Sequence, residues 1–226
     1  MANLVGIMNL CNKYYWEEIA RQMLLEFGES EWADLCNADK PDLQGSIWGI
    51  EVTQALTRQD GEIDALSNRV MNKPFAEITL KDKKKMEEYE ILYSEYKGKI
   101  ALFTQPAEWL NYNRILNSFQ QKIRKLNSNN YANFPRYGLF LFADDPFEGN
   151  EVNEITNNMI AIQKGQSKYF SMVFINCLFN YFWFCDLTTN SISSLNLGDH
   201  WHSKFDKEIM PKARQYSLEK TFRGTL

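Results

Sequence analysis

The 226-residue sequence predicts a mixed α/β fold: a central mixed sheet flanked by helices. Three observations carry that prediction. Apolar runs of strand length at 47–55, 137–143 and 171–187 alternate with longer segments whose apolar residues recur every three to four positions. The composition, 44% apolar and 24% charged, is that of a chain able to bury a sizeable core. No repeat, low-complexity stretch or linker divides the sequence. It therefore reads as one domain over 1–226, with a core at about 12–145 and a C-terminal extension at about 146–226.

Within Asn12–Phe27, Trp16, Ile19, Ala20, Met23, Leu24 and Phe27 lie on one helical face, and Gly28 is a natural stop. A short piece at Trp32–Leu35 and a turn at Asn37–Pro41 lead to a strand over Ile47–Ala55, with the acid Glu51 set among apolar neighbours. Arg58–Met71 and Lys83–Tyr96 have helical spacing, the second with a Met86, Tyr89, Tyr93, Tyr96 stripe and Lys/Glu pairs four apart. Lys99–Phe103 is a short strand. Ala107–Leu126 is the strongest helix pattern, with Trp109, Tyr112, Leu116, Phe119, Ile123 and Leu126 on one side. Strands are expected at Tyr137–Ala143, at Ser171–Leu187 (one or two) and at Ile192–Leu197, and helices at Val152–Gln163 and Trp201–Lys220, the last broken or kinked at Pro211.

Twenty-five basic and twenty-nine acidic side chains give a net charge of −4, which excludes a histone-like polycation but not a local basic face. The N-terminus has no basic stretch followed by an apolar one, and Cys11, Cys36, Cys177 and Cys185 have no CxxC spacing. A reducing, cytoplasmic setting is expected. The apolar run Tyr169–Cys185 is interrupted by Ser171, Asn176 and Asn180 and falls short of the ~20 residues of a spanning helix, so no membrane association is expected.

The chemistry concentrates in Lys40-Pro41-Asp42 and Ile50-Glu51-Val52-Thr53. An acid at a turn is followed nine residues later by an acid inside an apolar strand, where a lone carboxylate is costly without a partner. A lysine would serve, as would a hard cation such as Mg²⁺, which one or two carboxylates plus water and phosphate oxygens hold. Turn-forming Lys-Pro-Asp beside a core ion pair would account for the same residues without chemistry.

Pro41-Asp42 followed by Glu51-Val52-Thr53 resembles the PD-(D/E)xK nuclease superfamily over about the first 145 residues. The resemblance implies a restriction-endonuclease-like core of helix, three strands, helix and strand, with Asp42 and Glu51 as ligands of Mg²⁺ or Mn²⁺ and phosphodiester hydrolysis as the activity. It also implies a lysine that orients the attacking water, and an acid on the first helix that completes the metal shell. Thr53 stands where the family carries that lysine. Some branches move the lysine to the later helix, which here offers Lys122 and Lys125. At about 100° per residue, Lys122 lies roughly 80° from the centre of the apolar face and Lys125 roughly 140° away, towards solvent. Lys122 is therefore the expected catalytic cation. The same construction puts Glu17 about 90° from the centre of the first helix's face and Glu18 nearly opposite, so Glu17 is the better candidate for the third ligand that the resemblance implies, with Glu26 a similar flank residue; a solvated first-turn acid favoured by the helix dipole accounts for Glu17 as well.

From Trp109 to Ala143 there is no acid, while Arg114, Lys122, Arg124, Lys125 and Arg136 interleave with Tyr131, Phe134 and Tyr137. Arg114, Arg124, Lys125 and Arg136 are the candidate contacts to nucleic acid, with DNA favoured as the partner. A homodimer surface in the C-terminal extension is left open. The competing function is a catalytically inactive binding or interaction module on the same fold, for which Thr53 is the argument.

Overall fold

The computed structural model describes residues 12–28, 30–55, 58–104, 112–128, 131–143, 147–177 and 181–223. Its contacts divide the chain into two compact units where the sequence leads one to expect a single domain. One spans residues 56–111; the other joins 9–55 to 112–226. Neither junction carries a Pro-, Gly- or Ser-rich linker.

The larger unit is mixed α/β. It contains α1 (Lys13–Phe27), β1 (Cys36–Asn37), β2 (Leu43–Gln44), β3 (Trp48–Gln54), α4 (Asn113–Leu126), β6 (Arg136–Ala143), α5 (Gly149–Gln163), β7 (Met172–Cys177), β8 (Tyr181–Asp186), β9 (Ser191–Asn196), α6 (Asp199–Lys204) and α7 (Met210–Arg223). Its seven-stranded sheet has the order β1-β2-β3-β6-β7-β8-β9. The β1-β2-β3 meander is antiparallel, β6 runs parallel to both β3 and β7, and β7-β8-β9 is antiparallel again. The segment after residue 145 supplies three further strands, β7, β8 and β9, of the same sheet.

Strand alternation sorts the core into two layers. Leu139, Leu141, Val173 and Ile175 face Ile115, Phe119 and Ile123 of α4 and Val152, Ile155 and Met159 of α5. Ile50, Val52, Phe140, Phe142 and Phe174 face Ile19, Met23 and Leu24 of α1, with Trp201, Phe205 and Ala213 from the C-terminal helices. The helix pattern read from 107 onwards is observed from Asn113; residues 105–111, Trp109 among them, lie outside the described residues. The C-terminal helical segment changes its hydrogen-bond pattern just before Pro211. Phe205–Ile209 forms a π turn in which the Met210 N–H reaches back to the Phe205 carbonyl.

The smaller unit holds α2 (Arg58–Val70), α3 (Leu80–Glu88), β4 (Leu92–Tyr96) and β5 (Lys99–Thr104) around Ile63, Leu66, Val70, Ile78, Met86, Ile91 and Ile100. The helix expected over 83–96 ends at Glu88. Glu90 adopts a left-handed conformation (φ 51°), and the chain turns into an antiparallel hairpin that closes through Lys97 and Gly98. A tyrosine stripe at helical spacing is here divided between a helix end and a strand, because hairpin pairing overrides local periodicity.

Candidate active site

Asp42 is delivered by the turn before β2. The Ala38 N–H donates to the Asp42 carbonyl at 2.8 Å, and the Gln44 amide donates to the carbonyls of Asp39 (3.2 Å) and Pro41 (3.1 Å). Lys40, at φ 59°, takes the left-handed conformation that reverses the chain. Pro41 then packs over Gly49 of β3. A Cβ at Gly49 would sit 2.7 Å from Pro41 Cγ and 2.6 Å from the Phe134 ring, so only glycine admits this approach. The approach lets Asp42 Oδ2 accept the Val52 N–H at 2.8 Å.

Glu51 points to the opposite face from Ile50 and Val52, towards α4, and is 1% exposed. Both of its oxygens are engaged. Lys122 Nζ donates to Oε2 at 2.6 Å, and the Tyr131 hydroxyl donates to Oε1 at 2.6 Å. The same lysine donates to the Val52 carbonyl at 2.9 Å and lies 3.7 Å from Asp42 Oδ2. One ammonium thus links a turn acid, a strand acid and the strand backbone. Lys125 Nζ lies 3.6 Å from Glu51 Oε2 and 5.8 Å from the centre of the Tyr131 ring. The helical angle that pointed Lys125 to solvent describes its Cβ. Its half-exposed, four-carbon stem curls back over Tyr131.

Burial and the neighbouring Glu51 charge push the Asp42 carboxyl above its ordinary range, against the pull of Lys122 and the Val52 N–H. Burial, and donation to Glu51, raise the Tyr131 phenol, which stays protonated as a hydrogen-bond donor. Thr53, on the Glu51 face, makes a long hydroxyl contact to the Gln54 carbonyl at 3.4 Å.

The two acids of α1 take different roles. Glu17 is 3% exposed and has no hydrogen-bond or ion-pair partner among the described residues; burial first, then the Asp42 charge, pushes its carboxyl up to about 7. Glu18, placed opposite the apolar face by the helical angle, is equally buried. Arg21 donates to it at 3.0 and 2.8 Å and Gln22 at 2.7 Å, with Asn37 as a further donor. The reason is that α1 is covered on its second side by α7. Glu17, Asp42 and Glu51 surround one region without gathering into a preformed three-ligand set; among the described residues no such group of His, Cys, Asp or Glu occurs.

The four candidate basic residues differ in exposure and pairing. Arg124 is exposed on α4 and Arg114 is half-buried. Arg136 pairs with Glu31 at 3.2 Å and lies over the Trp48 ring at 5.5 Å. Tyr131 is the site residue that the sequence pattern missed. Eighty positions separate it from Glu51, and no spacing rule connects them. No described helix is long and apolar enough to cross a membrane. Comparison of the chain with protein-family models, with curated proteins and with solved structures returned no match.

Proposed function

We propose that this chain is a metal-dependent nuclease of the PD-(D/E)xK type that hydrolyses phosphodiesters in nucleic acid. The observation that carries the reading is the position of Lys122: a lysine from α4 bonded to Glu51 and to the Val52 carbonyl, beside the Thr53 position that lacks a cation. The order α1, β1-β2-β3, α4, β6, with β6 parallel to β3, supports the restriction-endonuclease-like core that the resemblance implies.

The donor type suits Mg²⁺ or Mn²⁺: carboxylates are what a hard cation takes, and Glu17 is buried with no hydrogen-bond partner among the described residues. Asp42, Glu51 and Glu17 would hold it. When bound, such a cation lowers the pKa of a water and neutralises phosphate charge. The chain's own residues supply the rest. The Val52 N–H fixes Oδ2 of Asp42 and Tyr131 fixes Oε1 of Glu51, so the carboxylates are oriented before substrate arrives. Lys122 has three donor protons, two of them used by Glu51 and Val52; the third can orient the attacking water.

The test is a Mg²⁺- and Mn²⁺-titrated cleavage assay on single- and double-stranded DNA and RNA, with Asp42→Ala as control. Cleavage that needs metal, and is lost in Asp42→Ala and Lys122→Ala, is expected; no cleavage under any combination refutes the reading. One observation favours the binding module in that event. Both Glu51 oxygens are satisfied by Lys122 and Tyr131, a complete arrangement for a structural ion pair. Salt-dependent nucleic-acid binding without cleavage would then identify it.

A further inference from the structure

A groove of about 540 Å³ opens at the N-terminal ends of β3 and β6, where Trp48 and Arg136 are register partners. Glu51 lies three residues further along β3, roughly 10 Å away at strand rise. We propose that this groove seats one unpaired nucleotide of the substrate strand. The inference rests on the nucleic-acid reading above and names the form of substrate that the site takes.

Three features support that occupant. First, size: volumes of about 300–1,000 Å³ suit a single small-molecule-sized group. Second, chemistry: the groove pairs cations with rings. Lys168 Nζ lies 5.7 Å from the Tyr137 ring centre, and the Arg136 guanidinium covers Trp48. Those two ring faces are therefore taken, and Phe134 packs onto Gly49, so the half-exposed Tyr169 remains to stack on a base. Arg136 spends one nitrogen on Glu31, and Lys168 spends one proton on the Tyr131 carbonyl at 3.3 Å, so both keep donors for a phosphate. Oδ1 of the groove's own acid, Asp186, accepts from the Thr188 N–H (2.8 Å) and hydroxyl (2.6 Å) and from the Thr189 N–H (3.1 Å), which engages that oxygen locally. Third, connection: Tyr131 donates to Glu51 through its hydroxyl and accepts from Lys168 through its carbonyl. The segment 131–135 is therefore both the wall of the groove and the clamp on the strand acid. A nucleotide held at Lys168 lies on a strand that leads to Asp42 and Glu51.

Fluorescence anisotropy tests the proposal without cleavage, in EDTA and on the Asp42→Ala background. The probes are labelled single-stranded DNA and RNA oligonucleotides of mixed sequence and a duplex of the DNA sequence. Tyr169→Ala should weaken single-strand binding about tenfold and leave duplex binding within twofold. Lys168→Ala should lower the salt dependence of single-strand binding by about 0.7 in log–log slope. Tyr169 lies on the surface, so its replacement leaves the core untouched. Wild-type affinity in both variants, equal losses on single strand and duplex, or no single-strand binding by the parent protein would each overturn the inference. Single-strand binding that depends on Tyr169 in a protein that cleaves nothing keeps the groove and refutes the nuclease. Cleavage with Tyr169→Ala binding unchanged does the reverse.

Discussion

Glu17 and Glu18 are neighbours on one helix and equally hidden from water, yet they titrate in opposite directions. Burial raises both. For Glu18, the bonds from Arg21, Gln22 and Asn37 outweigh burial and hold the carboxyl below its ordinary range. For Glu17, no bond compensates, and the Asp42 charge adds to the rise. Depth therefore does not decide what a buried acid is for; the partners do. Glu18 is a finished structural joint between α1 and β1. Glu17 feels the charges of Asp42 and of Lys122, the lysine that also bonds Glu51, and such perturbed surroundings are where chemistry concentrates.

The largest contrast should come from removing each cluster's cation. Lys122→Ala should reduce cleavage by about 10²–10³-fold, the usual effect of losing one charge-stabilising donor, measured in a single-turnover assay. It should also lower thermal stability, because it leaves Glu51 buried without its closest cation. Arg21→Ala should destabilise by about 2–3 kcal/mol, near the low end for a broken buried pair because Gln22 and Asn37 remain. Its cleavage rate below the melting range should match that of the parent protein; a rate loss as large as that of Lys122→Ala would erase the distinction between the clusters.

Titration sharpens the comparison. The folded pKa of Glu17 lies above its ordinary value, so the folded state binds this proton more tightly than the unfolded state. The stability it confers is complete below about pH 4.5 and is lost as pH rises through about 7. Metal-free Glu17→Gln should thus be more stable than the parent at pH 8 by about 3 kcal/mol, and little different at pH 4.5, in denaturant unfolding with EDTA. Glu18→Gln should destabilise at neutral pH, and its deficit should shrink on acidification, because a lowered carboxyl pKa gives stability that is lost as pH falls. The smallest effect belongs to Tyr131→Phe. It keeps the ring beneath Lys125 and removes one donor to Glu51, with an expected tenfold rise in the Mn²⁺ concentration needed for half-maximal cleavage and about 1 kcal/mol of stability.

Much of this arrangement was legible in the sequence because it lies on strongly periodic elements. The α1 face, the strand around Glu51 and the α4 face each bury apolar residues at the spacing read from the sequence, and the angle of Lys122 on α4 matched its approach to the sheet. Illegible were contacts that depend on a third body. Glu18 looked solvent-facing because nothing in α1 announces that α7 covers it. Tyr131 and Lys125 converge through a loop and a flexible stem, which no period describes. The two-residue strands β1 and β2 are too short for alternation to register, and the separation of residues 56–111 into their own unit follows from contacts, not composition.

The sequence distances inside the two clusters carry a consequence for how the protein comes into being. Glu18 meets Arg21 three positions away, and a nascent helix suffices to join them. Glu51 meets Lys122 only 71 positions later and Tyr131 80 positions later. Closing a loop of that length costs about 4 kcal/mol of chain entropy before any contact returns it, and pairings of this separation are the slow ones in folding. On the ribosome the strand acid emerges long before its cation. Between those moments Glu51 is an unpaired carboxylate that favours hydration over a place in the sheet. Arrival of α4 is then the event that admits β3 to the interior, so the Glu51–Lys122 contact and the middle of the sheet are completed in the same step.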